Sequence, residues 1–277
     1  MNLTILTDGN NKYGFGHISR SQTLANFLVD NGYKVKVIVL STVNLEVFST
    51  NDNVIIDIPY KGDFLFKKIN SYSKVIGLDY LGEVKLDLVI NVFDYKRYEY
   101  SNKINGLEYA IIRKDVVHLI HTDSVKEGVL IMLGAYDVNN FANNIIQELD
   151  NKGLKTFVIE KDKNIDTSIF NHCIHYVNSS NVAKIMKNSL WAVSNGGSSM
   201  LELMSLGKAI HVLPQSNAEK ALAIQIFKDG GVLGVGDPVE IPDIETINRV
   251  GRKAKEMVDG LGVERILAYI ERIFYEK

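Results

Sequence analysis

A chain of 277 residues with 31 Lys+Arg against 33 Asp+Glu has a formal net charge of −2 and no basic tract, which disfavours a nucleic-acid backbone as partner. Its 46% hydrophobic content allows one large core or two of ordinary size, and no apolar run approaches the ~20 residues that span a bilayer. The start of the chain lacks the pattern of a signal peptide, and the single cysteine, Cys173, excludes an internal disulfide, so a cytoplasmic protein without an integral membrane segment is expected, monomeric by default.

Apolar runs rich in Val and Ile alternate with amphipathic segments almost from end to end. Strands are predicted at 2–7, 34–40, 53–58, 74–79, 86–91, 128–133, 154–160, 173–177, 190–194, 208–213 and 232–235. Helices are predicted at 18–31, 63–72, 138–151, 180–188, 199–206, 217–229, 243–259 and 262–275. Runs such as Val35-Lys36-Val37-Ile38-Val39-Leu40 suit parallel strands covered on both faces. Asn139-Asn140 and Ser179-Ser180-Asn181 are candidate helix caps.

The first run ends in Thr7-Asp8-Gly9, followed by Tyr13-Gly14-Phe15-Gly16-His17-Ile18-Ser19-Arg20 and then Leu24, Ala25, Phe27 and Leu28 at helical spacing. Strand, glycine turn and helix together offer free backbone N–H groups and the positive end of a helix dipole, which suits a phosphate. His17 stands at the mouth of that turn, where the dipole favours the neutral imidazole that a general base requires. The plainer alternative is that Gly14 and Gly16 only permit a tight turn, with His17 as a polar helix-start residue. As a dinucleotide fingerprint the loop is defective. It reads G-x-G-x-x-S, and Val39-Leu40-Ser41-Thr42 supplies no acid for a ribose, which speaks against NAD. Arg20, one turn on, faces the same site or is solvated.

Asp79 closes the run Val75-Ile76-Gly77-Leu78, and Asp94 and Tyr95 close Asn91-Val92-Phe93. The pattern restarts at Glu127-Gly128-Val129-Leu130-Ile131-Met132-Leu133-Gly134, after a polar linker at 121–126. Two α/β domains follow, 1–123 and 124–277, with the last helix a candidate to cross back to the first; a single doubly wound domain is the alternative. Ser194-Asn195-Gly196-Gly197-Ser198-Ser199-Met200-Leu201-Glu202 forms a second anion cradle. Ser199-x-x-Glu202 reads equally as a capping box. Pro214-Gln215-Ser216-Asn217-Ala218-Glu219 is a polar loop at a strand's carboxyl end, with Asn217 either a ligand or a helix cap. The histidines are too dispersed for a zinc set, so neither metal nor cofactor is predicted.

With these residues in place, the chain resembles the GT-B superfamily, which includes the MurG-like enzymes. More narrowly, it resembles the PseG-like UDP-sugar hydrolases of pseudaminic acid biosynthesis. The resemblance rests on Gly14 to Arg20, Leu78-Asp79-Tyr80, Asn91, Gly106-Leu107-Glu108-Tyr109-Ala110-Ile111-Ile112-Arg113, Leu133-Gly134-Ala135-Tyr136-Asp137, Gly196 to Glu202 and Pro214 to Glu219. The motif G-x-G-H-x-x-R is shared with glycosyltransferases and marks the superfamily; the ordered series marks the hydrolases. The resemblance implies an α/β GT-B fold of two Rossmann-like domains with a substrate cleft between them. It implies a nucleotide-sugar substrate and metal-free, inverting attack of water at the anomeric carbon of a UDP-2,4-diacetamido-2,4,6-trideoxyhexose, in surface-glycan synthesis. His17 would then be catalytic, positioning or deprotonating the water. Gly14, Gly16, Arg20, Asp79 and Asn217 would bind substrate. Gly196, Gly197, Ser198 and Ser199 would take the UDP phosphates, and Glu202 the ribose.

Two departures stand out. Gly134-Ala135-Tyr136-Asp137 replaces the family's usual two glycines, hydroxyl residue and aspartate, and Tyr80 stands where a second aspartate is common. The segment between 58 and 74 is also shortened. The alternative reading is a GT-B glycosyltransferase with a UDP-sugar donor. Phe64-Leu65-Phe66-Lys67-Lys68 would then be its membrane-facing patch, unless it is a buried helix face. A third is a non-catalytic nucleotide-sugar binder.

Overall fold

The computed structural model describes residues 2–10, 14–44, 49–92, 102–134, 137, 141–160, 166–177 and 179–275. They divide into two compact units, Met1–Ile112 with Gly260–Lys277, and Arg113–Asp259.

The first unit runs β1 (Asn2–Thr7), α1 (Gly16–Asp30), β2 (Lys34–Val39), β3 (Asn53–Asp57), β4 (Val75–Leu78), β5 (Leu88–Asn91) and β6 (Lys103–Asn105). All six strands are parallel, in the order β2-β1-β3-β4-β5-β6. Period-two alternation splits the apolar residues between the two faces of the sheet. Leu3, Ile5, Ile55, Ile76 and Leu78 meet Leu24, Ala25 and Leu28 of α1 on one face. Leu6, Val54, Ile56 and Val75 meet Leu65, Tyr80 and Leu86 on the other. The two edge strands are the exceptions to continuous burial: β2 leaves Lys34 and Lys36 exposed, and β6 leaves Asn105 exposed.

The second unit runs α2 (Lys114–Val117), β7 (Glu127–Met132), α3 (Phe141–Asn151), β8 (Thr156–Glu160), β9 (Cys173–Val177), α4 (Val182–Asn188), β10 (Ser189–Ser194), α5 (Ser198–Ser205), β11 (Ile210–Val212), α6 (Asn217–Lys228), β12 (Gly234–Val235) and α7 (Ile244–Met257). Its sheet is again parallel, in the order β12-β11-β10-β7-β8-β9. Val129, Ile131, Val158, Trp191 and Val193 form its core with Ile145, Ile146 and Leu149 of α3 and Ile247 and Val250 of α7. The last helix, α8 (Gly262–Phe274), returns to the first unit. Its Val263, Ile266, Ile270 and Phe274 recur at helical spacing and pack on the same cluster as α1.

Several predicted elements take a different form. The boundary expected at 123/124 falls at Ile112/Arg113, because α2 packs on α4 and the presumed linker is tied down by Ser124 Oγ donating to Lys187 O at 3.1 Å. The helix expected over 63–72 is a short 3-10 turn, Asp63–Lys67, since Ile69 pairs with Thr50 as an extended residue. The strand β6 was not predicted; its three residues are too few for a periodic signal. The candidate caps Asn139 and Asn140 lie outside the described residues. Asn181 does stand at the N-cap of α4, but its side chain makes no capping bond.

Candidate functional site

In the first unit the carboxyl ends of β1, β3, β4 and β5 lie along one edge of the sheet. β1 sits between β2 and β3, where the chain order reverses, and doubly wound sheets open a crevice at such a point. Asp8 follows β1, Asp57 ends β3, Asp79 follows β4, Asn91 ends β5, and the amino end of α1 presents His17 and Arg20.

His17 Nδ1 is 2.7 Å from Asp57 Oδ1. Burial alone would raise the Asp57 carboxyl, but the Arg20 charge and the hydrogen bonds from His17 and Arg20 outweigh it and hold the group at about 2. The carboxylate therefore accepts only, so Nδ1 carries a proton, and in the neutral imidazole it is Nε2 that presents the lone pair. Nε2 bonds to no other described residue, and the His17 side chain keeps 23% exposure. Arg20 donates from Nε to both Asp57 oxygens, at 3.0 and 2.9 Å, and from Nη1 to Asp79 Oδ2 at 2.7 Å. Ser21 Oγ adds a bond of 2.9 Å to Asp57 Oδ2. Its two aspartates hold the Arg20 guanidinium firmly charged despite burial.

Asp79 has φ 47°, and among the described residues no other non-glycine has a positive φ. That backbone aims Oδ2 at Arg20 and lets Oδ1 accept from Val92 N at 2.9 Å. Gly14 bends the preceding turn with φ 76°, and Gly16 opens α1. Arg20, expected on the substrate, is thus engaged by Asp57 and Asp79, and Asp79, likewise expected there, by Arg20 and Val92 N, at 12% and 5% side-chain exposure. Sequence reasoning passed over Asp57, whose signal was an acid closing an apolar strand, as Asp79 does. Tyr80 is a core residue rather than a sugar-side one: it is 4% exposed, edge-on to Phe66, and donates its hydroxyl to Asp63. Tyr136, Asp94 and Tyr95 lie outside the described residues. Phe64 is exposed, but its neighbour Leu65 is fully buried, so the side chains of 64–68 divide between core and surface.

In the second unit the corresponding edge carries the loop after β10. Gly197 is the N-cap of α5 without a side-chain cap, so the first-turn amides of Ser198 and Ser199 are available to an acceptor. No capping box forms. Glu202 is buried, and its oxygens accept from Arg113 Nε at 2.7 Å and Nη2 at 3.2 Å instead. Burial pushes the Glu202 carboxyl up, and the Arg113 charge offsets this only in part.

Gly196 passes close under α6, where a Cβ would lie 2.8 Å from Glu219 Cβ. The Glu219 carboxylate accepts from Asn195 Nδ2 at 2.7 Å, Gly196 N at 3.3 Å and Gln215 N at 2.7 Å. An acid of the protein's own thus holds amides of the predicted anion cradle. Asn217 is the exposed first residue of α6; the capping side chain is Ser216, which accepts from Glu219 N at 3.2 Å. Among the described residues, Ser194 Oγ and Asn195 Oδ1 are buried without a partner, as are Thr7 Oγ1 and Asn91 Oδ1 at the edge of the first sheet. Orphaned polar atoms are uncommon in folded proteins, and here they sit at the ends where α/β sheets bind ligands.

Each unit thus pairs a parallel sheet with a glycine turn and a helix start at its carboxyl edge. The fold is GT-B. The GT-B chain superposes on MurG of Acinetobacter baumannii with a TM-score of 0.67 at 10% identity, covering 98% of this chain and 100% of that one. MnaA of S. aureus, in a co-structure with UDP, gives 0.62 at 11% identity, over 100% and 98%. The spinosyn rhamnosyltransferase SpnG, complexed with thymidine diphosphate, gives 0.64 at 10% identity, over 97% and 100%. No family profile and no curated protein sequence matches the chain.

Three of the five other histidines of this GT-B chain lead elsewhere: His172 bonds to Asp150, His175 to Glu160 and His211 to Gly236 O. Among the described residues no group of three or more His, Cys, Asp and Glu is placed to hold a metal ion, and no helix is long and apolar enough to cross a membrane.

Proposed function

We propose that the protein is a nucleotide-sugar hydrolase that releases a nucleoside diphosphate by attack of water at the anomeric carbon. The observation that carries this reading is the His17–Asp57 pair, because a carboxylate on Nδ1 leaves Nε2 as a proton acceptor at the start of a helix. In the proposed reaction Nε2 takes a proton from water and Asp57 stabilises the imidazolium so formed. The water oxygen bonds to the anomeric carbon as its bond to the diphosphate oxygen breaks, with inversion.

Charge developing on the leaving diphosphate would be met by the amides of Gly197, Ser198 and Ser199 and by the dipole of α5. Glu202, fixed by Arg113, keeps acceptor capacity for a ribose hydroxyl. Arg20 and Asp79 would act as positioning residues by holding Asp57 in place. The sequence resemblance supports UDP as the nucleotide and a 2,4-diacetamido-2,4,6-trideoxyhexose as the sugar, of the kind used for pseudaminic acid. The protein would work without a cofactor, in the cytoplasm.

The test is a phosphorus NMR time course with that UDP-sugar, with and without acceptor, for wild type and His17→Ala. Release of UDP in water, lost in the variant, is the expected result. Turnover only with an acceptor would assign the second reading, a glycosyltransferase, since Nε2 serves an acceptor hydroxyl as readily as water. Binding of UDP with no turnover in either case would leave a nucleotide-sugar binder.

A further inference from the structure

At the amino ends of β7, β10 and β11, the sheet edge opposite the glycine cradle, the second unit holds a cavity of about 340 Å³. Lys126, Lys187, Arg252 and Lys255 line it, with Ser124 and Asn248 as neutral polar residues. Asn248, Arg252 and Lys255 share one face of α7, spaced four and three residues apart.

The cations outnumber the acids four to one, Asp123 acting on Lys187 from a distance beyond a salt bridge. Among the described residues none of the four makes a salt bridge, and Asp123 is the one acid of the lining. Lys187 is 8% exposed, yet its Nζ has a single long hydrogen bond, 3.4 Å to Ile120 O. Lys255 Nζ donates to that same carbonyl at 3.3 Å, so two ammonium groups converge on one neutral oxygen. Behind them Lys208, 1% exposed, donates to Lys187 O and Ser189 O, a third amine near the cavity with no carboxylate partner among the described residues. Burying a cation unpaired is unfavourable, and a bound anion would relieve it.

We propose that this cavity binds a small polyanion through a phosphate or pyrophosphate group. Three donors of Lys187, the fork of Arg252 and the ammonium of Lys255 suit the oxygens of such a group. The volume suits a compact phosphate ester or the headgroup of an anionic lipid. The site is separate from the cradle after β10 and does not depend on the reading given above.

The experiment titrates the full chain with inorganic pyrophosphate and reads amide hydrogen exchange site by site. Protection is expected over residues 120–126 and 248–255. Lys187→Met and Lys255→Met should each weaken it about 10-fold or more, leaving protection over 194–200 unchanged. Protection confined to 194–200, or equal affinity in both variants, overturns the proposal. If Lys187→Met does not fold, Arg252→Ala on the exposed side of α7 replaces it, with the same expectation. Co-sedimentation with phosphatidylglycerol vesicles but not phosphatidylcholine ones, lost in the same variants, would assign a lipid headgroup. Pyrophosphate binding without co-sedimentation would assign a soluble phosphate ester.

Discussion

His17 Nδ1 donates to Asp57 Oδ1 over 2.7 Å, and Arg20 locks that same carboxylate from the next turn of α1. The imidazole is thereby held in one tautomer, with its basic nitrogen turned away from the acid. A positioned base contributes roughly 10²–10⁴-fold to a proton-transfer step. His17→Ala should therefore lower kcat for UDP release by at least about 10²-fold, with a retained cooperative thermal transition as evidence that the fold survives.

Asp57 has a stability role that can be read separately. Its carboxyl is held at about 2, below the ~3.9 of an unfolded chain. A depressed carboxyl contributes stability above the unfolded value and loses it as pH falls from ~4 towards 2. The contribution is of the order of 2 kcal/mol. Urea unfolding at pH 6 and pH 3 should show wild type losing stability between them, and Asp57→Asn should be less stable at pH 6 with a flatter acid limb.

Glu219 holds Gly196 N and Gln215 N, and so sets a negative charge beside the Gly197–Ser199 amides that the proposed diphosphate would use. Glu219→Gln keeps an acceptor for Gly196 N or Gln215 N and removes the charge. Even with the water-like dielectric constant of ~80 suited to an open cleft, relief of that repulsion at ~4 Å amounts to about 1 kcal/mol, or roughly fivefold tighter UDP binding. Isothermal titration of both proteins with UDP checks it; weaker binding in the variant would show that Glu219 orders the loop instead.

Arg113 and Glu202 form a pair whose acid is 9% exposed at the side chain. Arg113→Ala leaves that carboxylate buried and uncompensated, a change worth about 3 kcal/mol in comparable pairs. Denaturant unfolding should report the loss in the second unit. Adding Glu202→Gln to Arg113→Ala should recover part of it, whereas a purely packing role for Arg113 would give no recovery.

Lys208 is held at about 7 by burial and by Lys126 and Lys187. A lysine depressed in this way penalises the folded state while it is charged, so stability should rise with pH from about 7 towards the unfolded value of ~10.4. Thermal melts across that range should show the rise, and Lys208→Met should flatten it even though its carbonyl partners lose a donor.

The parallel α/β pattern of both units was legible in the sequence because buried strands read as unbroken Val and Ile runs between amphipathic helices, and glycine turns mark the ends of β1 and β10. The helix starts at Gly16 and Ser198, and His17 beside the first, followed from local backbone chemistry alone. Partnership did not. Asp57 lies 40 residues from His17, and Arg113 lies 89 from Glu202; pairing over such separations leaves no periodic trace. Only parallel register brings the ends of β1, β3 and β4 to one edge, so that Arg20 meets Asp57 and Asp79. Only packing decides that α8 returns to the first unit, that Ser216 rather than Asn217 caps α6, and that Glu219 lies in the cradle. Local propensity and periodicity act within a few residues, whereas charge pairing and close packing depend on which distant segments the fold brings within hydrogen-bond reach.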